Sequence, residues 1–156
     1  MEVSMIAIKK IMIPTDFSEY SNHALKYAIS MAVNFKAKLY LVHVYELPLT
    51  SPMLPAEPYP TATRTQEQNQ EERTLNRLAD ELRTKGLDTE PVFILGRPYM
   101  EIVRVAKELD IDLVILATHG RKGLSHLVFG STAEKVVRLS PCPVLTIKHP
   151  EHEFVD

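Results

Sequence analysis

The residues best suited to chemistry in this sequence lie in a glycine-bearing stretch near the carboxyl terminus. Three of the five glycines of the chain fall within residues 119–130, and none precedes position 86. The same stretch contains Arg121 and Lys122 and ends in Gly130-Ser131-Thr132. Glycine lets a backbone approach a ligand closely, and the first amides of a helix form a natural phosphate site. The pattern therefore predicts an anion site, with phosphate as the favoured anion.

A structural role for the same residues is an alternative. Serine and threonine are preferred at helix N-termini whatever binds there, so Ser131 and Thr132 could simply cap a helix. The length of the connection favours a ligand, however. Strand-to-helix connections commonly run about 2–6 residues, whereas His119 to Gly130 spans twelve.

The sequence lacks the motifs of several common kinds of catalytic and binding site. The sequence has no Gly-x4-Gly-Lys-Ser/Thr, and no Gly-x-Gly-x-x-Gly follows the first strand, so P-loop hydrolysis and dinucleotide binding are not supported. His119 and His126 have no partners at a metal-ligand spacing. His43, within an apolar segment, is interpreted as a hydrogen-bonded core residue. We predict no catalytic residue and no metal ligand, so binding is favoured over turnover.

Short apolar segments alternate with stretches of helical periodicity, and these elements must position the glycine-bearing stretch. The apolar segments are Lys10–Ile13, Leu39–Tyr45, Pro91–Leu95, Leu113–Ala117 and Val144–Ile147. The helical stripes comprise Leu25, Ala28, Ile29, Ala32 and Val33; Leu75, Leu78, Ala79 and Leu82; Ile102, Val105, Ala106 and Leu109; and Ala133, Val136 and Val137. Strands apolar on both faces that alternate with helices indicate a parallel sheet covered on both sides. We predict an α/β fold with five parallel strands and four helices.

Local signals set the expected ends of these helices. Asp16, with Glu19 three residues later and Ser18 just inside, predicts a capped start for the first helix. Gly86 after Lys85 predicts the end of the second helix. Pro98 suits the first turn of the third.

Two segments are expected to add to this framework. The stretch from Glu46 to Thr63 holds five of the eleven prolines, which predicts an extended, poorly helical insert. The polar run Arg64–Arg73 suggests that the second helix frays or begins late. Residues 149–156 are interpreted as a solvated tail, and residues 1–156 as one domain.

Composition narrows the class of protein. The chain has 156 residues, 45% of them hydrophobic, and a formal net charge of −2, which offers no field to attract nucleic acid or an acidic membrane. Its single cysteine, Cys142, excludes an internal disulfide. The longest apolar run is Leu113–Ala117, far too short to span a bilayer, and Met1–Ile8 does not have the pattern of a secretory signal. We expect a soluble, cytoplasmic protein with no nucleic-acid or membrane partner.

The glycine-bearing stretch resembles the signature of a known family. Ala117-Thr118-His119-Gly120-Arg121-Lys122-Gly123, then Gly130-Ser131 and Ala133-Glu134-Lys135-Val136, is similar to the universal stress protein (UspA-like) family. The resemblance continues through Ser140-Pro141-Cys142-Pro143-Val144-Leu145 and includes Ile11-Met12-Ile13-Pro14-Thr15-Asp16-Phe17-Ser18. It implies an open, Rossmann-like parallel sheet of order 3-2-1-4-5, similar to the adenine nucleotide alpha hydrolases.

The ATP-binding branch of that family carries the pattern Gly-x2-Gly-x9-Gly-Ser/Thr. Here Gly120 is the second glycine, Arg121–Phe129 the spacer and Gly130-Ser131 the closing pair. The first position is Ala117 instead of glycine. In the family this backbone lies against the ribose and a phosphate, so a methyl group there could crowd the ligand.

The resemblance also implies roles for individual residues. Pro14, Thr15 and Asp16 would meet the adenosine, and the main chain of Val44 the adenine edge. The ribose and phosphates would be flanked by Ala117, Thr118, His119, Gly120, Arg121, Lys122 and Gly123. Gly130, Ser131, Thr132 and Ala133 would hold the phosphates.

These roles predict a stress-response protein that binds ATP, ADP or AMP and acts as a sensor or regulator. Mg²⁺ can accompany ATP through phosphate oxygens, since such metals need few protein ligands. Family members commonly dimerise through the last strand, here Val144, Leu145, Thr146 and Ile147. Two alternatives stay open: a dimeric interaction module whose pocket Ala117 closes, and a slow ATPase or phosphotransferase.

Overall fold

Strands and helices alternate along the part of the chain that the structure describes. The structure is a computed structural model, and it describes residues 4–46, 64–120 and 129–148. The strands are β1 (Lys10–Pro14), β2 (Lys38–Glu46), β3 (Thr89–Gly96), β4 (Leu113–Ala117) and β5 (Val144–Ile147). The helices are α1 (Glu19–Phe35), α2 (Gln66–Thr84), α3 (Pro98–Glu108) and α4 (Ser131–Leu139). All five predicted strands are present, and the predicted bounds of β4 and β5 are those observed.

The strands form one parallel sheet of order β3-β2-β1-β4-β5. β1 lies between β2 and β4, with Ile13 opposite Leu41 and Met12 opposite Val114. The predicted α/β architecture and strand order are confirmed. Because the chain leaves β1 towards β2 on one side and later returns to β4 on the other, the carboxyl ends of β1 and β4 flank the point where strand order reverses. Open α/β sheets bind ligands at such a point.

Alternate residues of each strand face two different helical layers. Leu39 and Leu41 pack into one cluster with the buried faces of α1 and α2. Tyr40 and Val42 pack into another with α3 and α4. The helical stripes are confirmed at their centres, but Val33 and Val137 are 61% and 45% exposed, so their inclusion in the buried stripes was wrong.

The start of α1 differs from the prediction. Its N-cap is Ser18, whose side chain accepts a hydrogen bond from the Ser21 amide. Asp16 lies two residues earlier and accepts from the Ser18 amide at 3.0 Å. The cause is Phe17, whose φ of +62° turns the backbone before the helix begins. Such a conformation is uncommon for an aromatic residue and marks a constrained loop.

Helix α2 also differs, because it begins at Gln66 and includes the polar run expected to fray. Thr65 accepts from the Gln68 amide, and the Gln68 side chain accepts from the Thr65 amide. This reciprocal capping box satisfies two donors that a helix start otherwise leaves unpaired. Glu46 belongs to β2 and not to a loop, and the rest of the proline-rich insert lies outside the described residues.

The remaining boundary signals behave as predicted. Lys85 is the C-cap of α2, and Gly86 follows with φ +86°, a conformation that favours glycine. Pro98 occupies the first turn of α3. Among the helices described, none combines the length and apolarity that a membrane crossing requires.

Candidate functional site

A cleft of about 590 Å³ opens at the carboxyl ends of β1, β2 and β4. It is lined by twelve of the fifteen predicted site residues: Pro14, Thr15, Asp16, Val44, Ala117, Thr118, His119, Gly120, Gly130, Ser131, Thr132 and Ala133. Arg121, Lys122 and Gly123 lie outside the described residues. The residues that the sequence pattern predicts therefore lie on one concave surface. Its volume is typical of sites that bind small ligands.

The loop after β1 forms one wall of the cleft. The Thr15 amide donates to the Val42 carbonyl at 2.8 Å, which ties the loop to β2. The Thr15 hydroxyl accepts from the Phe17 amide at 3.1 Å, and Thr15 is 6% exposed. These bonds hold the loop in the conformation that carries Asp16 to the cleft.

Gly120 meets this loop from the β4 side. A Cβ built on Gly120 would overlap with the Asp16 carboxylate oxygen Oδ2. Only glycine lets the two loops approach this closely without displacing the carboxylate. The absence of a side chain at Gly120 therefore has a steric reason within the site.

The connection between β4 and α4 is closed at its base. The Gly130 amide donates to the Thr118 carbonyl at 2.7 Å, while the Thr118 amide donates to the Ile147 carbonyl at 3.0 Å. A Cβ on Gly130 would lie 3.1 Å from that Thr118 oxygen. Gly130 thus fixes the spacing between the two ends of the connection, and its own amide is used in doing so.

The first turn of α4 faces the same cleft. Gly130 is the N-cap, so the alternative that Ser131 or Thr132 caps this helix is wrong. The Glu134 amide makes the first helical bond, to the Gly130 carbonyl. The amides of Ser131, Thr132 and Ala133 precede it and have no acceptor within the helix. Together with the helix dipole, they favour an anion at this end of the cleft.

The main chain of Val44 supplies a donor and an acceptor at the other end. In a parallel ladder, successive residues direct their amide and carbonyl groups to opposite neighbours, so Val44 has the same orientation as Val42. The Val42 carbonyl accepts from Thr15 on the β1 side. Since β1 ends at Pro14, the amide and carbonyl of Val44 point beyond the end of that strand and into the cleft.

His43 joins three elements beneath this end of the cleft. It is 3% exposed, its Nδ1 lies 2.7 Å from the Thr15 carbonyl oxygen and its Nε2 lies 2.7 Å from Oε2 of Glu71. A carbonyl only accepts, so Nδ1 is the donor. The ring also packs against Phe17, with centroids 4.5 Å apart, and Phe93, at 5.7 Å. The predicted hydrogen-bonded histidine is confirmed.

A second bond joins the same strand to α2. The Tyr45 hydroxyl donates to Oε2 of Glu67 at 2.9 Å. This bond to a carboxylate raises the pKa of the Tyr45 phenol above its ordinary value, since it stabilises the protonated form. The predicted site residues did not include Tyr45, Glu67 and Glu71, which also line the cleft. The signal in the sequence is the four-residue spacing of the two glutamates, which places both on one face of a helix.

The charge of the cleft is uneven. Its described lining carries the carboxyl groups of Asp16, Glu46, Glu67 and Glu71 and contains no lysine or arginine. Across residues 4–46, 64–120 and 129–148, no group of three or more His, Cys, Asp or Glu side chains is arranged to hold a metal ion. The glutamates come from β2 and from α2, whereas the free helix amides come from α4 on the opposite face of the sheet. The cleft thus presents acceptors at one end and anion-binding donors at the other.

Comparison with known proteins agrees with this architecture. The model of the universal stress protein family matches residues 7–148. The chain belongs to this family. Universal stress protein MJ0531 of Methanocaldococcus jannaschii is 37% identical over 150 residues, which cover 93% of this chain and 85% of that protein.

Solved universal stress proteins share the fold. UspA of Lactobacillus plantarum has a TM-score of 0.72 at 20% identity, over 92% of this chain and 99% of its own. The Archaeoglobus fulgidus protein in complex with dAMP has a TM-score of 0.65 at 22% identity, over 92% of this chain and 100% of its own. These likenesses establish the fold.

Proposed function

We propose that this universal stress protein binds an adenine nucleotide in the cleft and acts as a nucleotide-responsive regulator. One observation carries the proposal. A single cleft at the reversal point of the sheet has the first-turn amides of α4 on one side and the outward-facing main chain of Val44 on the other. A nucleotide has the matching polarity, with anionic phosphates at one end and a hydrogen-bonding base edge at the other.

The phosphates lie against α4 in this proposal. Ser131, Thr132 and Ala133 donate their amides, and Ser131 and Thr132 can add their hydroxyl groups. The Gly130 amide is not among these donors, because it is bonded to the Thr118 carbonyl. Gly130 instead keeps the start of α4 close to β4. Arg121 and Lys122, outside the described residues, are proposed to supply the positive charge that the described lining lacks, and Thr118, His119 and Gly120 flank the ribose and phosphates.

The adenosine lies over β1 and β2. The Val44 amide donates to N1 of adenine and the Val44 carbonyl accepts from the exocyclic amine. Pro14, Thr15 and Asp16 border the base and ribose, and the Asp16 carboxylate is an acceptor for a ribose hydroxyl. The Archaeoglobus fulgidus relative with dAMP bound supports an adenine nucleotide as the ligand class.

The methyl group of Ala117 does not oppose this arrangement. Ala117 is 7% exposed and packs in the cluster on the α1 and α2 face, away from α4. We therefore favour a binding site over a pocket closed by this residue.

Ala117→Gly is expected to bind nucleotide as well as the parent or slightly more tightly. It should unfold more readily, by about 1 kcal/mol, because glycine in a strand costs conformational entropy and a buried methyl is lost. Calorimetric titration with AMP and chemical denaturation measure the two effects. A tenfold gain in affinity would instead identify the methyl group as an obstruction.

Equilibrium titration of the purified protein with ATP and AMP tests the proposed function directly. Saturable binding of either nucleotide is expected, together with a rise in melting temperature. Mass spectrometry of protein purified without added ligand should detect adenylate carried through purification. No saturable binding and no thermal shift at millimolar nucleotide would remove the proposal. Nucleotide analysis after incubation with ATP and Mg²⁺ distinguishes binding from slow hydrolysis.

We also propose that the protein forms a homodimer through β5. This strand is an outer strand of the described sheet, and Leu145 is 36% exposed on it. The opposite outer strand, β3, contains Pro91, which cannot donate to a neighbouring strand and protects that edge. Val144–Ile147 has no such protection.

Leu145→Arg should therefore shift the protein from dimer to monomer, since it introduces a repulsive charge pair across a two-fold interface. Sedimentation velocity measures the change, and Met100→Arg on the exposed side of α3 is the matched control. A parent protein that is already monomeric would contradict the proposed dimer.

A further inference from the structure

Two pairs of residues join the end of β2 to the first turns of α2. Tyr45 bonds to Glu67, and His43 bonds to Glu71. Residues two apart on a strand are about 6.6 Å apart on one face, and residues four apart on a helix are separated by about 6 Å along its axis. The two spacings are similar enough for both hydrogen bonds to form together. Helix α2 therefore holds β2 at two consecutive points.

The residue between those two points is Val44. Its own side chain packs on the opposite face of the sheet, with the α3 and α4 layer. Its amide and carbonyl extend past the end of β1, where no strand of the described sheet supports them from that side. The orientation of these two groups then depends on the strand positions immediately before and after, whose backbones pair with β3 and whose side chains α2 holds.

His43 extends this support to the neighbouring loop. Its Nδ1–H donates to the Thr15 carbonyl, so the same side chain that contacts Glu71 also fixes the residue before Asp16. The contact between Nε2 and Oε2 of Glu71 requires one proton between the two atoms, either on an imidazolium or on a carboxylic acid. A side chain at position 71 that can neither accept nor donate would leave a buried ring nitrogen without this partner.

We infer that Glu67 and Glu71 are positioning residues for recognition of the base, acting through Tyr45 and His43 on the main chain of Val44. The inference rests on the proposed nucleotide binding and adds the origin of its base specificity. Adenine presents an amine donor and the N1 acceptor, whereas hypoxanthine presents a carbonyl acceptor and an N1–H donor. A correctly held Val44 main chain accepts the first pattern and rejects the second.

The experiment compares the affinities for AMP and IMP in the full chain. The parent should favour AMP by at least about 30-fold, because IMP mismatches both hydrogen bonds of the Val44 main chain and each mismatch costs about fivefold or more. Glu71→Ala and Tyr45→Phe should each reduce that ratio at least threefold, mainly by weakening AMP. Glu71→Gln should restore most of it, because an amide can still bond to Nε2. Glu81→Ala, on an exposed part of the same helix, removes the same charge and should leave the ratio unchanged.

The outcomes separate this inference from the proposed function. A parent that binds neither nucleotide overturns both. A parent that binds AMP and IMP equally overturns the inference alone. So does an equal loss of both affinities in Glu71→Ala and Tyr45→Phe, because that result indicates a general effect on folding. Tyr45→Phe removes a single oxygen atom, so it tests the inference even where Glu71→Ala unfolds.

Discussion

Gly130→Val is expected to weaken the binding of ATP and AMP by about 10- to 100-fold. A Cβ at this position lies 3.1 Å from the Thr118 carbonyl oxygen, the acceptor of the Gly130 amide, so valine must push the start of α4 away from β4. The amides of Ser131 to Ala133 move with it. The loss corresponds to one hydrogen bond to a charged group, at about 1.5–3 kcal/mol. Calorimetric titration measures the change.

A loss of affinity through general destabilisation must be distinguished from this local effect. Gly86→Ala is the matched control, because Gly86 has φ +86° and lies at the end of α2, outside the cleft. Alanine there is strained by about 1–2 kcal/mol but should bind nucleotide normally. Unchanged affinity in Gly130→Val would mean that the phosphates bind elsewhere.

Gly120→Ala is expected to weaken nucleotide binding by about tenfold, the size of a lost hydrogen bond to a charged acceptor. The added methyl group would occupy the space of the Asp16 Oδ2 atom. The carboxylate must then leave its position in the cleft, and its bond to the Ser18 amide is disturbed as well. The substitution thus acts on the proposed adenosine end of the cleft from the opposite loop.

A double-substitution cycle identifies this mechanism. Asp16→Ala alone should also weaken binding, because it removes the carboxylate proposed to accept a hydrogen bond from the ribose. The double variant Gly120→Ala with Asp16→Ala should bind no worse than Asp16→Ala alone, since the overlap no longer exists. Additive losses in the double variant would show that Gly120 acts independently of Asp16.

The strands and the glycine-bearing connection could be predicted from the sequence because their signals are local. Leu113–Ala117 is apolar at every position, as a strand covered on both faces requires, and the structure gives the same bounds. Gly120 and Gly130 could be assigned to a candidate site from their placement in the long connection and from the family resemblance. Their steric reasons, against Asp16 and Thr118, depend on contacts between different loops.

The part of the cleft that α2 lines could not be predicted from local signals. The residues from Gln66 to Arg73 are polar and lack the apolar stripe that indicates a helix, so a late start was expected. They are helical because of a local capping box and because Glu67 and Glu71 bond to side chains 22 and 28 positions earlier. The four-residue spacing of the two glutamates places them on one face of a helix, but it does not identify the distant side chains to which they bond. The start of α1 was misassigned for a related reason, since the left-handed turn at Phe17 is set by its loop.

The most direct test of the account is a crystal structure of the protein grown with saturating AMP or ATP. The account predicts phosphate oxygens about 3 Å from the amides of Ser131 to Ala133, the usual hydrogen-bond distance. It also predicts the adenine edge against the amide and carbonyl of Val44. An ordered nucleotide whose phosphates lie away from the start of α4, or a cleft without nucleotide at saturating concentration, would contradict it.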